Sequence, residues 1–261
     1  MISFLLLILT GAIVGILSSL FGIGGGSLLV PILFIFYPAF PASEIIAISL
    51  TVILINTISN TYQYQKLKSL PPKNIIIFFV FASIIGAITG TYIANFLDKN
   101  ITQLVISFIL LFLVIRSVLP IKNSKNIGRG SSSPYAFGMT GIIGTILATI
   151  TGLGGGVIFT PAFQYLHKIP AKKIPAYSNI AMLFGCLFAL VPHVITGQTI
   201  NRPYYFGNIN IQVVLLISIF SIIGTKLGVS LNHKVSAKHK TILLNTIFIL
   251  LAIKLLLFRN T

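Results

Sequence analysis

Apolar residues fall along this chain in long runs, at about 3–37, 45–62, 75–96, 101–119, 135–167, 176–196, 207–231 and 238–258, with short polar stretches between them. A helix crossing the hydrocarbon core of a bilayer needs roughly 20 such residues. The pattern therefore predicts an all-α polytopic membrane protein. Two of the runs, the first and the fifth, are longer than one crossing and are interrupted by glycines. Each reads as a helical hairpin broken near its middle, followed by three ordinary spans.

The interruptions are copies of one another. Residues 10–31 read TGAIVGILSSLFGIGGGSLLVP and residues 140–161 read TGIIGTILATITGLGGGVIFTP, with Thr10, Gly11, Ile13, Ile16, Leu17, Gly22, Gly24, Gly25, Gly26 and Pro31 all recurring 130 positions later. The match continues downstream. Pro41, Ala42, Ile45, Ala47 and Ser49 recur as Pro170, Ala171, Ile174, Ala176 and Ser178, and Ser83-Ile84-Ile85-Gly86 with Gly90 recurs as Ser221-Ile222-Ile223-Gly224 with Gly228. The chain thus divides into a membrane repeat at 1–119, a polar, basic, Gly/Ser-rich linker at 120–133 and a second membrane repeat at 134–261.

Glycines in hydrocarbon expose backbone N–H and C=O groups that lipid cannot satisfy, so the breaks must face protein, water or a ligand. A helix resuming at Gly26 or Gly156 points its first N–H groups and the positive end of its dipole into the break. That arrangement suits an anion, and glycine allows close approach to the backbone. Gly22, Gly24, Gly25, Gly26 and Gly152, Gly154, Gly155, Gly156 are therefore candidate substrate-lining residues. The separated pairs Gly11/Gly15, Gly86/Gly90 and Gly224/Gly228 read instead as seams for close helix packing.

Polar side chains inside the spans add possible donors. Ser49, Asn56, Ser59 or Asn60, and Gln63 lie near heptad spacing on one helix face, as do Asn179, Cys186 and His193 in the matching span. Ser27, Ser49, Asn56, Ser178 and Asn179 are the candidate hydroxyl and amide donors to an oxyanion. His193 reads as a solvated or capping residue near a helix end, Lys226 as a snorkelling cation, and Cys186 as packing.

Charge refines the topology. Mean hydropathy is +1.01, only 8% of residues are charged, and the formal net charge is +16. The cations are scattered through short loops, which fits positive-inside anchoring rather than nucleic-acid binding. If both glycine units enter and leave on one face, then Lys66, Lys68, Lys73, Lys122, Lys125, Arg129, Lys168, Lys172, Lys173, Lys234, Lys238 and Lys240 share one side. Glu44, Asp98, Lys99, Arg202 and Arg259 occupy the other. The Lys-rich side and the linker are then cytoplasmic, and the halves form an inverted repeat. Residues 3–20 could span fully while 27–37 reach only about half way, so the depth of the break stays open. The first run lacks a basic n-region and a small-residue cleavage site, so it does not read as a cleavable signal.

Two carboxylates in the whole chain, Glu44 and Asp98, sit at predicted helix ends. No acidic relay, paired catalytic carboxylates or Cys/His metal spacing follows from such a sequence, and no cofactor is expected.

The segment Gly22-Ile23-Gly24-Gly25-Gly26-Ser27-Leu28-Leu29-Val30-Pro31 and its copy Gly152-Leu153-Gly154-Gly155-Gly156-Val157-Ile158-Phe159-Thr160-Pro161 resemble the signature of the TauE/SafE sulfite exporter family. The resemblance covers nearly the whole chain in length, hydropathy, duplication and basic linker. It implies a bacterial or archaeal inner-membrane permease for sulfur-containing anions such as sulfite, sulfoacetate or related sulfonates. Where the family commonly has Gly-Thr-Ser, this chain has Ala47-Ile48-Ser49 and Ala176-Tyr177-Ser178, so only the serines match.

The first functional reading is accordingly a secondary transporter, an exporter of small sulfur-containing anions cycling between two access states. A passive anion channel and a non-transporting membrane assembly factor are the alternatives. An intramembrane hydrolase would need a Ser–His pair, for which Ser27 and His193 are poor candidates. The expected partners are a small anionic substrate and the lipid bilayer, with a homodimer left open and no nucleic acid.

Overall fold

A computed structural model of the chain describes residues 4–21, 26–118, 134–167, 169–170, 173–195, 203–232 and 235–257. The linker 120–133 lies outside these residues, as do Gly22, Gly24, Gly25, Lys168, Lys172, Arg202, Lys234 and Arg259.

The described chain is helical almost throughout. The first half comprises α1 (Phe4–Phe21), α2 (Gly26–Phe36), α3 (Ala42–Lys66), α4 (Lys73–Ala94) and α5 (Lys99–Val118). The second comprises α6 (Pro134–Thr151), α7 (Gly156–Pro161), a π-helical turn at Ala162–Leu166, α8 (Ile174–Ile195), α9 (Ile211–Asn232) and α10 (Ala237–Leu257). Helices α3, α4, α5, α8, α9 and α10 are long and apolar enough to cross a membrane, whereas α1, α2 and α6 are shorter in the described residues. Each half therefore holds one broken unit and three spans, as the hydropathy pattern predicts.

Helix boundaries follow local chemistry. Pro41 and Pro72 cap α3 and α4 in extended conformation, since a proline start sacrifices only an N–H that has no helical partner. Asp98 caps α5, its carboxylate accepting from the Ile101 N–H at 2.7 Å, the usual way to satisfy an orphan donor. One boundary differs from the sequence reading. The run at 207–231 does not begin as helix: Tyr205–Phe206 and Ile209–Asn210 pair as a small antiparallel hairpin before α9. Gly207, at φ +60, opens its two-residue turn, and the Asn208 N–H donates to the His193 carbonyl at 3.0 Å. The hairpin thereby caps the end of α8, while the Tyr205 hydroxyl donates to buried Glu44 at 2.6 Å in the first turn of α3.

The tightest seams join the two halves. Helix α1 packs along α9, and α6 packs along α4. A Cβ on Gly11 would lie 2.7 Å from the Ile217 carbonyl oxygen, and one on Gly86 would lie 2.7 Å from that of Ile142. Lipid gives helices no hydrophobic reason to associate, so van der Waals contact at such small-residue seams does that work. Gly11/Gly15, Gly86/Gly90 and Gly224/Gly228 all sit in them. Helices α3 and α8 cross at the centre and α5 pairs with α10. Phe108, Phe112, Ile219 and Leu250 are among the large apolar side chains left on the outside, where lipid is their solvent.

Candidate functional site

The second glycine break is fully described. Helix α6 ends at Thr151, and Gly152, Gly154 and Gly155 then take φ of +71, +74 and +74. L-residues with a Cβ pay about 1–2 kcal/mol for that left-handed region, which explains why the break is written in glycine. Space also requires it, since a Cβ on Gly155 would lie 2.7 Å from the Gly144 carbonyl oxygen. The chain then turns back along α6. Phe159 meets Gly144, the Phe163 and Phe137 rings lie 6.1 Å apart, and His167 stacks on Phe137 at 3.9 Å. The α7–π arm and α6 thus form an antiparallel hairpin.

Hydrogen bonding inside the break is incomplete. The Gly152 N–H donates to the Ala148 carbonyl at 2.8 Å, and the Ile158 and Phe159 N–H groups both donate to Gly155. Thr151 Oγ1 accepts from the Leu153 N–H at 3.3 Å. The N–H groups of Gly154 and Gly155 donate to no acceptor among the described residues, although both glycines are buried. Buried amides are seldom left unpaired, so the break offers two backbone donors that no other described residue takes up.

The start of α2 meets the second break. Gly26, the first residue of α2, is close enough to the second break that a Cβ on it would lie 2.7 Å from the Leu153 carbonyl oxygen. The side chain of Ile53, from α3, packs against both Gly26 and Gly154. Ser49, one turn earlier on α3 and wholly buried, donates to the Gly152 carbonyl at 2.8 Å. A side chain of the first half therefore satisfies the carbonyl that opens the second half's break.

The remaining candidates divide. Ser178 lies beside the α7 arm, its hydroxyl 3.3 Å from that of Thr160. Ser27 is buried at the start of α2. Gly156 begins α7 and is buried. Cys186 packs near Gly154. Asn179 is engaged by α3, its amide donating to the Thr57 carbonyl at 3.1 Å and to Thr61 Oγ1 at 2.8 Å. It ties α8 to α3. Asn56 is half-buried one position before that carbonyl. Gly22, Gly24 and Gly25 fall outside the described residues.

A buried polar residue at the end of this hairpin away from the glycines escaped the sequence reading. His167 is buried at the end of the π turn, its Nε2 2.9 Å from Thr140 Oγ1. The signal was present in the duplication, because Tyr37, also buried, stands 130 positions earlier, as Thr10 does before Thr140.

Comparison with known proteins agrees with this architecture. A family model described as sulfite exporter TauE/SafE matches residues 7–255. A protein of Methanocaldococcus jannaschii named probable membrane transporter protein is 32% identical over 258 residues, covering 97% of this chain and 95% of its own. The probable membrane transporter protein YunE of Bacillus subtilis is 27% identical over 278 residues, 97% of each chain. A probable membrane transporter protein of Haemophilus influenzae is 30% identical over 187 residues, 69% of this chain and 68% of its own. No solved structure matches the chain.

Proposed function

Because the chain belongs to the sulfite exporter TauE/SafE family, and is thereby a multi-pass membrane transporter and not an enzyme, we propose that it exports small sulfur-containing anions such as sulfite or organosulfonates by secondary transport. The observation that carries this reading is the meeting of the start of α2 with the second break, Gly26 against Leu153 and Ile53 against both Gly26 and Gly154. A site at that point would be contacted by both halves at once, which is what alternating access between two matched units requires.

The chemistry favours an anion. The N–H groups of Gly154 and Gly155, which donate to no acceptor among the described residues, are donors without a charge of their own, and the start of α2 adds the positive end of a helix dipole. Ser27 stands in the first turn of α2, and the hydroxyls of Ser178 and Thr160 lie 3.3 Å apart beside α7. A hydrogen bond from such a donor to a charged group contributes about 1.5–3 kcal/mol. Among the described residues no acidic side chain lies in the break to attract a cation. The reciprocal packing of α1 on α9 and α6 on α4, together with the loop charges, supports an inverted repeat with the Lys-rich loops cytoplasmic.

The test is flux in proteoliposomes with sulfite, sulfoacetate, taurine, sulfate and a cationic amine, with and without a pH gradient. Saturable transport of sulfite or a sulfonate is the expected result. Preference for the amine, or for a neutral solute over every anion, overturns the anion reading, and flux that never saturates replaces transporter by channel.

A further inference from the structure

Of the two carboxylates in the chain, Asp98 is exposed, whereas Glu44, in the first turn of α3, is only 4% exposed. A chain of hydrogen bonds with fixed directions ends on it. The Val213 N–H donates to Asn210 Oδ1 at 3.2 Å, which leaves the Asn210 amide nitrogen to donate to the Tyr205 hydroxyl oxygen at 2.9 Å. That hydroxyl has one proton, and it goes to Glu44 Oε1 at 2.6 Å. Every donor in the chain points toward the carboxylate. The titratable groups on the elements around it are Tyr37, Tyr204, Tyr205, His193, Asp98 and Lys99. None forms an ion pair with Glu44 among the described residues.

The hairpin that carries Tyr205 straps the two central helices together. Besides Glu44 at the start of α3, it holds the end of α8 through the Asn208 N–H on the His193 carbonyl. Ser49 and Ile53, which touch the second break, follow Glu44 along α3, and Cys186, beside Gly154, precedes His193 along α8. At about 1.5 Å per residue, the strap lies roughly 7–14 Å from that break along these helices. Lys99 marks the same end of the bundle, donating to the Pro38 carbonyl. Toward the other end, α8 is tied to α3 by Asn179 on Thr57 and Thr61. The break thus lies between two ties of the same pair of helices, and one tie ends on a carboxylate.

We propose that Glu44 is a proton-binding site, and that a proton taken from the outer face releases the Tyr205 strap and opens the second break to that face. The proposal rests on the transport and sidedness readings above and adds what drives the opening. Protonation puts the hydrogen on one carboxylate oxygen and leaves the other a neutral acceptor. A hydrogen bond to an ionised group is roughly twice as strong as one between neutral groups, so the strap loosens. The chain cannot answer by reversing, because a Glu44 hydroxyl donating to Tyr205 would leave the Tyr205 proton without its acceptor. Ionisable side chains within membrane spans are rare and mark proton and ion paths. The matching position at the start of α8 is Lys173, which is exposed, so the site belongs to one face of the membrane and gives proton binding a direction.

Spin labels on Phe36→Cys and Phe206→Cys, both exposed positions at this end, report the strap in a Cys186→Ala background without any substrate. From about pH 8 to about pH 4, this protein should pass from one distance population to two, the new one longer. Adding Glu44→Gln should give the longer population at every pH, and adding His193→Gln or Arg202→Gln should leave the profile in place. One population at every pH, a profile that survives Glu44→Gln, or one lost with His193→Gln or Arg202→Gln overturns the proposal. If Glu44→Gln does not fold, Tyr205→Phe removes the donor instead and should abolish the profile, and its survival there is equally fatal. Native Cys186, wholly buried, gives a second reading. At one fixed pH, an impermeant thiol reagent added outside should reach it at least about tenfold faster in Glu44→Gln than in the parent, the loss of one charge-assisted bond. Equal rates overturn opening toward the outside. A strap that titrates in protein without anion flux would discard the anion reading alone. Flux of methanesulfonate, an anion throughout this pH range, that is unchanged by Glu44→Gln at every outer pH would discard only the proton site.

Discussion

The hydroxyl of Ser49 donates to the carbonyl oxygen of Gly152 at 2.8 Å, joining residues 103 positions apart. That carbonyl belongs to the residue where α6 gives way to the break, and a helix end buried without a partner is costly. Removing the hydroxyl leaves a buried acceptor unsatisfied, at about 1–3 kcal/mol. Ser49→Ala should lower thermal stability in detergent by an amount in that range and slow flux more than it lowers the amount of protein in the membrane. Flux and stability both equal to the parent protein would show that the bond positions nothing.

Two glycine substitutions separate conformation from packing. Gly155→Ala places a Cβ at φ +74 and against the Gly144 carbonyl, whereas a Cβ on Gly138 would meet only Phe78 at 3.7 Å, an ordinary contact. Gly155→Ala should cost at least the roughly 1–2 kcal/mol of the left-handed region and abolish flux. Gly138→Ala should be silent or slightly stabilising, because alanine favours helix. Initial rates and unfolding midpoints measured side by side decide the matter, and equal behaviour of the two variants would remove the conformational account of the break.

Asn179 bridges α8 to α3 through Thr57 and Thr61. Hydrogen bonds between membrane helices contribute about 0.6 kcal/mol on average and rarely more than about 2. A double-mutant cycle with Asn179→Ala and Thr61→Val should give a coupling of that size. Coupling near zero, combined with an anion affinity lowered about tenfold or more in Asn179→Ala alone, would move Asn179 from helix crossing to substrate.

Sidedness has its own test. Lys68 and Lys173 are both exposed and occupy loops of different halves. In an inverted repeat with the Lys-rich face cytoplasmic, single cysteines at these positions should both react with an impermeant thiol reagent only from the inside. Reaction from opposite faces would require parallel halves.

What could be read in the chain and what could not has a physical boundary. Spans such as α3, α4 and α5 were legible because their apolar length is set by the bilayer and their ends are marked by Pro41, Pro72 and the Asp98-Lys99 pair. The small-residue seams were legible too, but not their partners: nothing local in Gly11 or Gly15 names α9. The second strand of the Tyr205–Asn210 hairpin was lost because Ile209 was read into the apolar run that starts at 207, although Gly207-Asn208 is a turn signal. Ser49 was visible as a donor in hydrocarbon, while its acceptor, a carbonyl freed by a distant break, was not. The π turn after Pro161 was invisible for a sharper reason, since the matching proline in α2 sits in ordinary helix.

The interleaving of the halves also dictates an order of events during synthesis. Helix α1 leaves the ribosome long before α9, the surface it packs against, exists. At 5–20 residues per second the gap is roughly 10–40 s. Throughout it the glycine face of α1 must rest on lipid or on the insertion machinery. The same holds in reverse for α4, which waits for α6. A chain stopped after the linker would present two unmatched seams, and quality-control proteases should remove it. Supplied as two separate polypeptides, the halves should survive only when made together, each completing the other's first hairpin.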